Sequence, residues 1–130
     1  MSGKNVLLTG STKGIGLAIY NELKSSGYRV FGCSRANIEQ KDYLRVDLTD
    51  TKNAEILYSA AKEAMGNIDI LINNAGIYLY TPIEKTSADE LKRLVNLNFI
   101  TPQLLCSYVA TDMKKNKWGR IINIGSISGA

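Results

Sequence analysis

Short apolar runs alternate along the chain with longer segments of helical periodicity. Asn5 to Thr9 (NVLLT), Arg29 to Cys33, Tyr43 to Leu48, Ile68 to Asn73 and Arg120 to Ile124 have strand length and are rich in Val, Ile and Leu. Between them lie three helical patterns. Gly14 to Ser25 carries Ile15, Ala18, Ile19 and Leu23 at helical spacing, and Gly27 closes it in the manner of a left-handed helix stop. Thr51 to Met65 sets Ala54, Leu57, Tyr58, Ala61 and Ala64 along one face. Ser87 to Asn116 predicts a long helix, opened by a capping box of Ser87 with Glu90. The join between the second and third strands is too short for a full helix and predicts a loop or a single turn.

Strands that are apolar on both faces, alternating with helices, predict an α/β fold: a doubly wound, Rossmann-like parallel sheet covered on both sides. No repeat, low-complexity segment or linker divides residues 1–130, so a single domain is expected. Composition leaves that picture intact, with 45% hydrophobic and 22% charged residues. There is no histidine, which excludes imidazole chemistry and makes a metal site unexpected. Two distant cysteines, Cys33 and Cys106, are poor material for a disulfide framework and fit a reducing, cytoplasmic setting. No apolar run approaches the roughly 18 residues of a membrane span, and Met1 to Lys4 lead straight into a strand with no signal-peptide pattern. The net charge of +4 is dispersed apart from Lys114, Lys115, Lys117 and Arg120, which stand where a helix should end and complement its dipole. A nucleic-acid partner is therefore not expected.

The first strand runs directly into Thr9-Gly10-Ser11-Thr12-Lys13-Gly14-Ile15-Gly16 and then into a helix. A diphosphate must approach the backbone closely at a helix N-terminus, where free N–H groups and the helix dipole favour negative charge. Gly10 permits the sharp turn, Gly14 the close approach, and Gly16 the contact of helix with strand. The strand before the turn and the helix after it supply the context that a glycine motif needs. A Walker-type loop is disfavoured, because Lys13 precedes the last glycines instead of following them.

The spacing Thr-Gly-x-x-x-Gly-x-Gly resembles the classical short-chain dehydrogenase/reductases. Three further motifs strengthen the likeness: Asn73-Asn74-Ala75-Gly76 after the fourth strand, Asp47 within Val46-Asp47-Leu48-Thr49-Asp50, and Gly125-Ser126-Ile127-Ser128-Gly129 after the fifth. They occur in family order and span nearly the whole chain; the 3-oxoacyl-acyl-carrier-protein reductases are the nearest branch. The resemblance implies strand order 3-2-1-4-5, with the glycine turn from Gly10 to Gly16 on the diphosphate. It also implies that Asp47 and Leu48 hold the adenine, and that the turn containing Asn74, Ala75 and Gly76 flanks the cofactor.

Which dinucleotide is expected turns on the end of the second strand. An NAD-preferring site places an acid there, about 20 residues beyond the glycine turn. This chain has Gly32-Cys33-Ser34-Arg35 and no carboxylate until Glu39. The planar guanidinium of Arg35 suits a 2′-phosphate, and Lys13 adds a second cation, so NADP(H) is expected over NAD(H).

By the same resemblance, catalysis takes an Asn, a Ser and a Tyr-x-x-x-Lys pair, the hydride being the cofactor's own chemistry. Ser126 matches the serine, with Ser128 as the runner-up. Asn98 matches the asparagine, with Asn96 as competitor. Pro102, four residues after Asn98, has no N–H and leaves the Asn98 carbonyl unbonded within the helix, where the resemblance implies a bound water. Tyr20 with Lys24 and Tyr58 with Lys62 show the Tyr-x-x-x-Lys spacing, but both precede the serine and lie on helices that cover the sheet. The catalytic pair is therefore expected beyond Ala130, in a longer chain. The expectation is an NADP(H)-dependent oxidoreductase acting on a carbonyl or alcohol, as a homo-oligomer and away from membranes. A 130-residue piece alone would be inactive, and a non-catalytic dinucleotide-binding module is the alternative.

Overall fold

A computed structural model describes residues 3–126. Five strands, β1 (Asn5–Thr9), β2 (Arg29–Ser34), β3 (Tyr43–Arg45), β4 (Ile70–Asn73) and β5 (Arg120–Asn123), form one parallel sheet in the order β3-β2-β1-β4-β5. The order reverses at β1, so β1 and β4 diverge at a switch point, and the crevice there opens at the carboxyl ends of the strands. Four helices follow the chain: α1 (Gly14–Ser25), α2 (Asn53–Met65), α3 (Ala88–Val95) and α4 (Thr101–Asn116).

The alternation of side chains along β1 builds two cores. Val6 and Leu8 meet Val30, Ile70 and Ile72 on one face, roofed by Ile19, Tyr20 and Leu23 of α1. Leu7 faces the other way, to Phe31, Leu71 and the α2 and α4 residues Leu57, Ala61, Leu105 and Val109. Both faces of the central strands are thus buried, as the runs of Val, Leu and Ile require.

Local expectations fare unevenly. The capping box is present: Ser87 Oγ accepts from the Glu90 N–H at 3.2 Å and the Glu90 carboxylate accepts from the Ser87 N–H at 3.0 Å. Gly27 takes φ +86°, and the Tyr28 N–H reaches back to the Leu23 carbonyl, so α1 ends as its glycine announces. The β2–β3 join is a loop. The buried stripe of α1 is rotated from the expected one: Ile15 and Ala18 face outward, because close contact of Gly16 with the glycine turn sets the helix's roll. On α2 it is Met65, not Ala64, that completes the buried face. The third strand ends at Arg45 instead of Leu48, since Asp47 Oδ1 accepts both the N–H and the hydroxyl of Thr49 and turns the chain. The fourth begins at Ile70 instead of Ile68, although Ile68 is fully buried.

The expected helix over 87–116 is α3 and α4 joined by a π-helical turn, Asn96–Ile100. Pro102 cannot donate to Asn98, and the Thr101 N–H bonds the Asn96 carbonyl one residue further back. The strain of the missing bond is absorbed as one wide turn, which bulges the helix where Asn98 sits.

Tyr58 and Lys62 of α2 join α4 away from the crevice. Tyr58 Oη donates to Asp112 Oδ2 at 2.5 Å, and Lys62 Nζ lies 2.7 Å from Asp112 Oδ1. Burial pushes the Asp112 carboxyl up, but the hydrogen bonds from Lys62 and Tyr58 outweigh it and hold the group below the usual carboxylate range. A depressed folded value stabilises above the unfolded one and is lost as pH falls through it. Asp112→Asn should therefore lower stability near neutrality by about 1–3 kcal/mol and flatten the acid limb of the stability–pH curve. Urea titrations of both proteins between pH 3 and 7 measure this; parallel curves would refute it.

Candidate functional site

The glycine turn leaves β1 through Gly10, whose φ of +67° is one that glycine tolerates and other residues rarely adopt. Its N–H and that of Ser11 both donate to the Cys33 carbonyl, at 3.0 and 3.1 Å, tying the turn to β2. Ser11 is buried against β2 at Gly32, where a Cβ would overlap the serine hydroxyl. α1 starts at Gly14 with Lys13 as its N-terminal flank, no side-chain cap and no acid in its first turn. The first N–H groups of a helix have no partner within it, so they are left for an anion. A Cβ on Gly14 would meet nothing within 4 Å, so the approach to those donors is open.

Gly16, Gly10 and Asn74 form a knot at the switch point. Asn74 Nδ2 donates to the Gly10 carbonyl at 3.1 Å, and a Cβ on Gly16 would overlap that same carbonyl oxygen. Thr9 Oγ1 accepts the N–H groups of Asn74 and Ala75, each at 3.0 Å. The threonine of the glycine motif thus holds the Asn-Asn-Ala-Gly turn against β1, a role to which only its place before Gly10 hints.

A cleft of about 430 Å³ opens over these strand ends. Gly10, Thr12, Lys13, Arg35, Asp47, Leu48, Ala75 and Gly76 line it, which brings together eight of the residues singled out in the sequence. Ser11 and Asn74 lie behind its wall as bracing, while Gly14, Ile15 and Gly16 form the first turn of α1 beside it. Ile15 is 65% exposed. Cys33 also borders the cleft, but burial pushes its thiol up to about 12, so it stays protonated and is no nucleophile.

The segment carrying Arg35 is held by a run of hydroxyls. Thr12 donates to Ser34 Oγ at 2.9 Å, Ser34 Oγ lies 2.6 Å from Tyr43 Oη, and Tyr43 donates to the Ala36 carbonyl at 2.7 Å. Arg45 Nε adds a bond to the Arg35 carbonyl at 3.0 Å. The backbone is fixed on both sides, while the Arg35 side chain, like that of Lys13, has no ion-pair or hydrogen-bond partner among the described residues. Asp47 lies in the loop past β3 and is the one acid on the cleft among the described residues. Its carboxyl is held below the usual range by the Thr49 hydroxyl and N–H, with smaller help from the charges of Arg35 and Arg93. Arg93 reaches the cleft from α3, and no motif marks it.

A second hollow of about 330 Å³ adjoins the first at Ala75 and contains Asn98, Asn73, Asn123 and Gly125. Asn98 is exposed, so its carbonyl is not enclosed within the helix. Its side chain clasps the backbone of Ile77, accepting from the N–H at 2.9 Å and donating to the carbonyl at 2.6 Å. Its main-chain carbonyl receives no bond from Pro102, which has no N–H. Asn96, the competitor, donates to the Thr49 carbonyl at 3.0 Å and anchors the helix instead. Asn73 bridges to Asn123 at 3.0 Å across β4 and β5, while its own Oδ1 is buried without a partner among the described residues. Ser126 follows β5 at the same end of the sheet, and Ser128 lies outside the described residues.

The features above fit a bound dinucleotide: open anion donors at α1, clear space in front of Gly14, and cations that have no partner among the described residues around a cleft at the switch point. Among the described residues no cluster of His, Cys, Asp or Glu could hold a metal, and no helix is long and apolar enough to cross a membrane.

Residues 4–130 match the family model described as short chain dehydrogenase. The 3-oxoacyl-acyl-carrier-protein reductase of Haemophilus influenzae is 35% identical over all of this chain and 58% of its own length. Among solved structures, a 4-hydroxyisoleucine dehydrogenase complexed with NADH superimposes with a TM-score of 0.89 at 28% identity, covering 98% of this chain and 57% of that one. A metagenomic short-chain oxidoreductase in complex with NADP gives 0.88 at 29%, covering 99% and 64%. The chain spans about half the length of the curated relatives it matches.

Proposed function

Since the chain belongs to the short-chain dehydrogenase family, we propose that it is the dinucleotide-binding part of an oxidoreductase that moves a hydride between NADP(H) and a carbonyl or alcohol. The observation that carries the NADP(H) preference is the pair of cations, Lys13 and Arg35, that have no partner among the described residues, on a cleft whose β2 wall has no acid. A carboxylate there would accept from a ribose 2′-OH; a guanidinium pairs instead with a 2′-phosphate. Solved relatives carry NADH in one case and NADP in another, so family membership alone does not choose between them.

In this reading the turn from Gly10 to Gly16, Ser11, Thr12 and Ile15 included, receives the diphosphate. Asp47 and Leu48 border the adenine, and Asn74, Ala75 and Gly76 border the nicotinamide half. The bound cofactor supplies the hydride chemistry. Ser126 donates a hydrogen bond to the substrate oxygen and orients it beside the cofactor. Asn98 holds the turn after Gly76 through Ile77 and offers its main-chain carbonyl to a proton-carrying water. The Tyr58–Lys62 pair is engaged with Asp112 and does not supply the tyrosine and lysine of the family. Self-association through the helix bearing Asn98, and a cytoplasmic location, belong to the same reading.

Ser126→Ala in the full gene product tests it. With NADPH and a panel of ketones, kcat should fall by about 10²–10³ while NADPH affinity is retained. Unchanged turnover would remove Ser126 from the site. A wild-type protein that binds NADPH and turns over no carbonyl or alcohol would favour the non-catalytic binding module.

A further inference from the structure

We infer that Arg93 is an adenine-binding residue of the dinucleotide cleft, laying its guanidinium over the face of the ring from the α3 wall. The inference rests on the proposed dinucleotide reading and adds a contact that none of the sequence motifs predicts.

Three cations line the cleft, and they stand on different walls. Lys13 and Arg35 belong to the glycine turn and the end of β2. Arg93 comes from α3 and borders the part of the cleft that holds Asp47, Leu48 and Leu97. Its position is set by two long-range ties between the helix and the β3 exit loop. Asn96 Nδ2 donates to the Thr49 carbonyl at 3.0 Å, and Thr101 Oγ1 donates to the Leu48 carbonyl at 2.8 Å. These bonds hold the last turn of α3 over the loop from Asp47 to Thr49.

An arginine beside an aspartate would ordinarily form an ion pair, but this one does not. Asp47 Oδ1 is taken by the Thr49 N–H and hydroxyl, at 3.0 and 2.7 Å. Arg93 has no hydrogen-bond or ion-pair partner among the described residues, though it is close enough for its charge to act on the Asp47 carboxyl. A planar cation is thus left on one wall of a slot whose neighbouring surface is Leu48 and Leu97, both buried. A flat heteroaromatic ring suits that slot: apolar side chains take one face and edge, and the guanidinium stacks on the other. Of the parts of a dinucleotide, adenine is the flat ring at that end. The 2′-phosphate would lie on the opposite wall, with Arg35 and Lys13.

The contact predicts a signature distinct from that of Arg35. In the full gene product, Arg93→Ala should weaken NADPH and NADH alike by roughly tenfold, measured by fluorescence titration. Binding of reduced nicotinamide mononucleotide, which lacks the adenosine half, should be unchanged. Arg93→Lys keeps the charge but loses the plane and should resemble the alanine variant. Loss confined to NADPH would reassign Arg93 to the 2′-phosphate and overturn the stacking role, as would full rescue by lysine. If the wild type binds both dinucleotides and Arg93→Ala binds them equally well, the inference fails and the dinucleotide reading stands. If the wild type binds neither, the dinucleotide reading itself fails.

Discussion

Gly16→Ala is expected to lower stability by about 3–5 kcal/mol and to raise the NADPH dissociation constant at least roughly a hundredfold. The added Cβ would overlap the Gly10 carbonyl oxygen and stand 2.5 Å from the Asn74 amide nitrogen and 2.8 Å from the Gly10 carbonyl carbon. Two of those atoms are backbone, fixed by the turn's own bonds to Cys33, so the strain cannot be relieved by a rotamer change. α1 must lift from β1, which breaks the Asn74–Gly10 hydrogen bond and moves the N–H groups meant for the diphosphate. Gly14→Ala is the control. Its Cβ meets nothing within 4 Å, so the fold bears only the cost of alanine at φ +56°, about 1–2 kcal/mol. Thermal unfolding and NADPH titration of both variants decide the matter. A Gly16→Ala protein as stable as Gly14→Ala would mean that the helix and turn do not touch as described.

That contrast also marks what could be read in advance. The glycine turn, the capping box and the stop of the first helix are legible because each depends on neighbours in sequence: a turn between strand and helix, Ser87 with Glu90, Gly27 after the last apolar residue; the strand order rests instead on the family resemblance. Periodicity showed that Gly14 to Ser25 is a helix but not which way it is rolled. The roll comes from Gly16 meeting Gly10 and Asn74, the latter 58 positions away along the chain. In the same way Pro102 announced a missing bond to Asn98, whereas its resolution into a π turn depends on how α3 and α4 are held to the sheet. Arg93 was invisible for that reason. It matches no motif, and it reaches the cleft only because Asn96 and Thr101 tie its helix to the Leu48–Thr49 backbone. The apolar pattern of the third strand runs on to Leu48, while the Asp47–Thr49 turn ends the pairing at Arg45.

Arg35→Asp should invert the cofactor preference, with the ratio of NADPH to NADH affinity falling by about 10²–10³. A 2′-phosphate carries close to two negative charges, and a paired guanidinium contributes charge-assisted, two-pronged hydrogen bonds. The substitution removes that pair and sets a carboxylate against the phosphate. For NADH the same carboxylate becomes an acceptor for the ribose 2′-OH, so its affinity should hold or improve. Arg35 is exposed, so screening trims the electrostatic share. The NADPH advantage of the wild type should accordingly shrink as salt is raised, whereas in the variant, where the carboxylate repels the phosphate, the bias against NADPH should ease. The backbone around Arg35 is pinned by Thr12, Ser34, Tyr43 and Arg45, none of which uses the Arg35 side chain, so the exchange should leave the fold undisturbed. Titrations of both proteins with NADPH and NADH at two ionic strengths measure the effect. A preference that does not move would make Arg35 a solvated surface cation and leave Lys13 and Arg93 as the candidates for the phosphate. Movement without inversion would mean that Lys13 carries a comparable share, which Lys13→Ala on the Arg35→Asp background would expose.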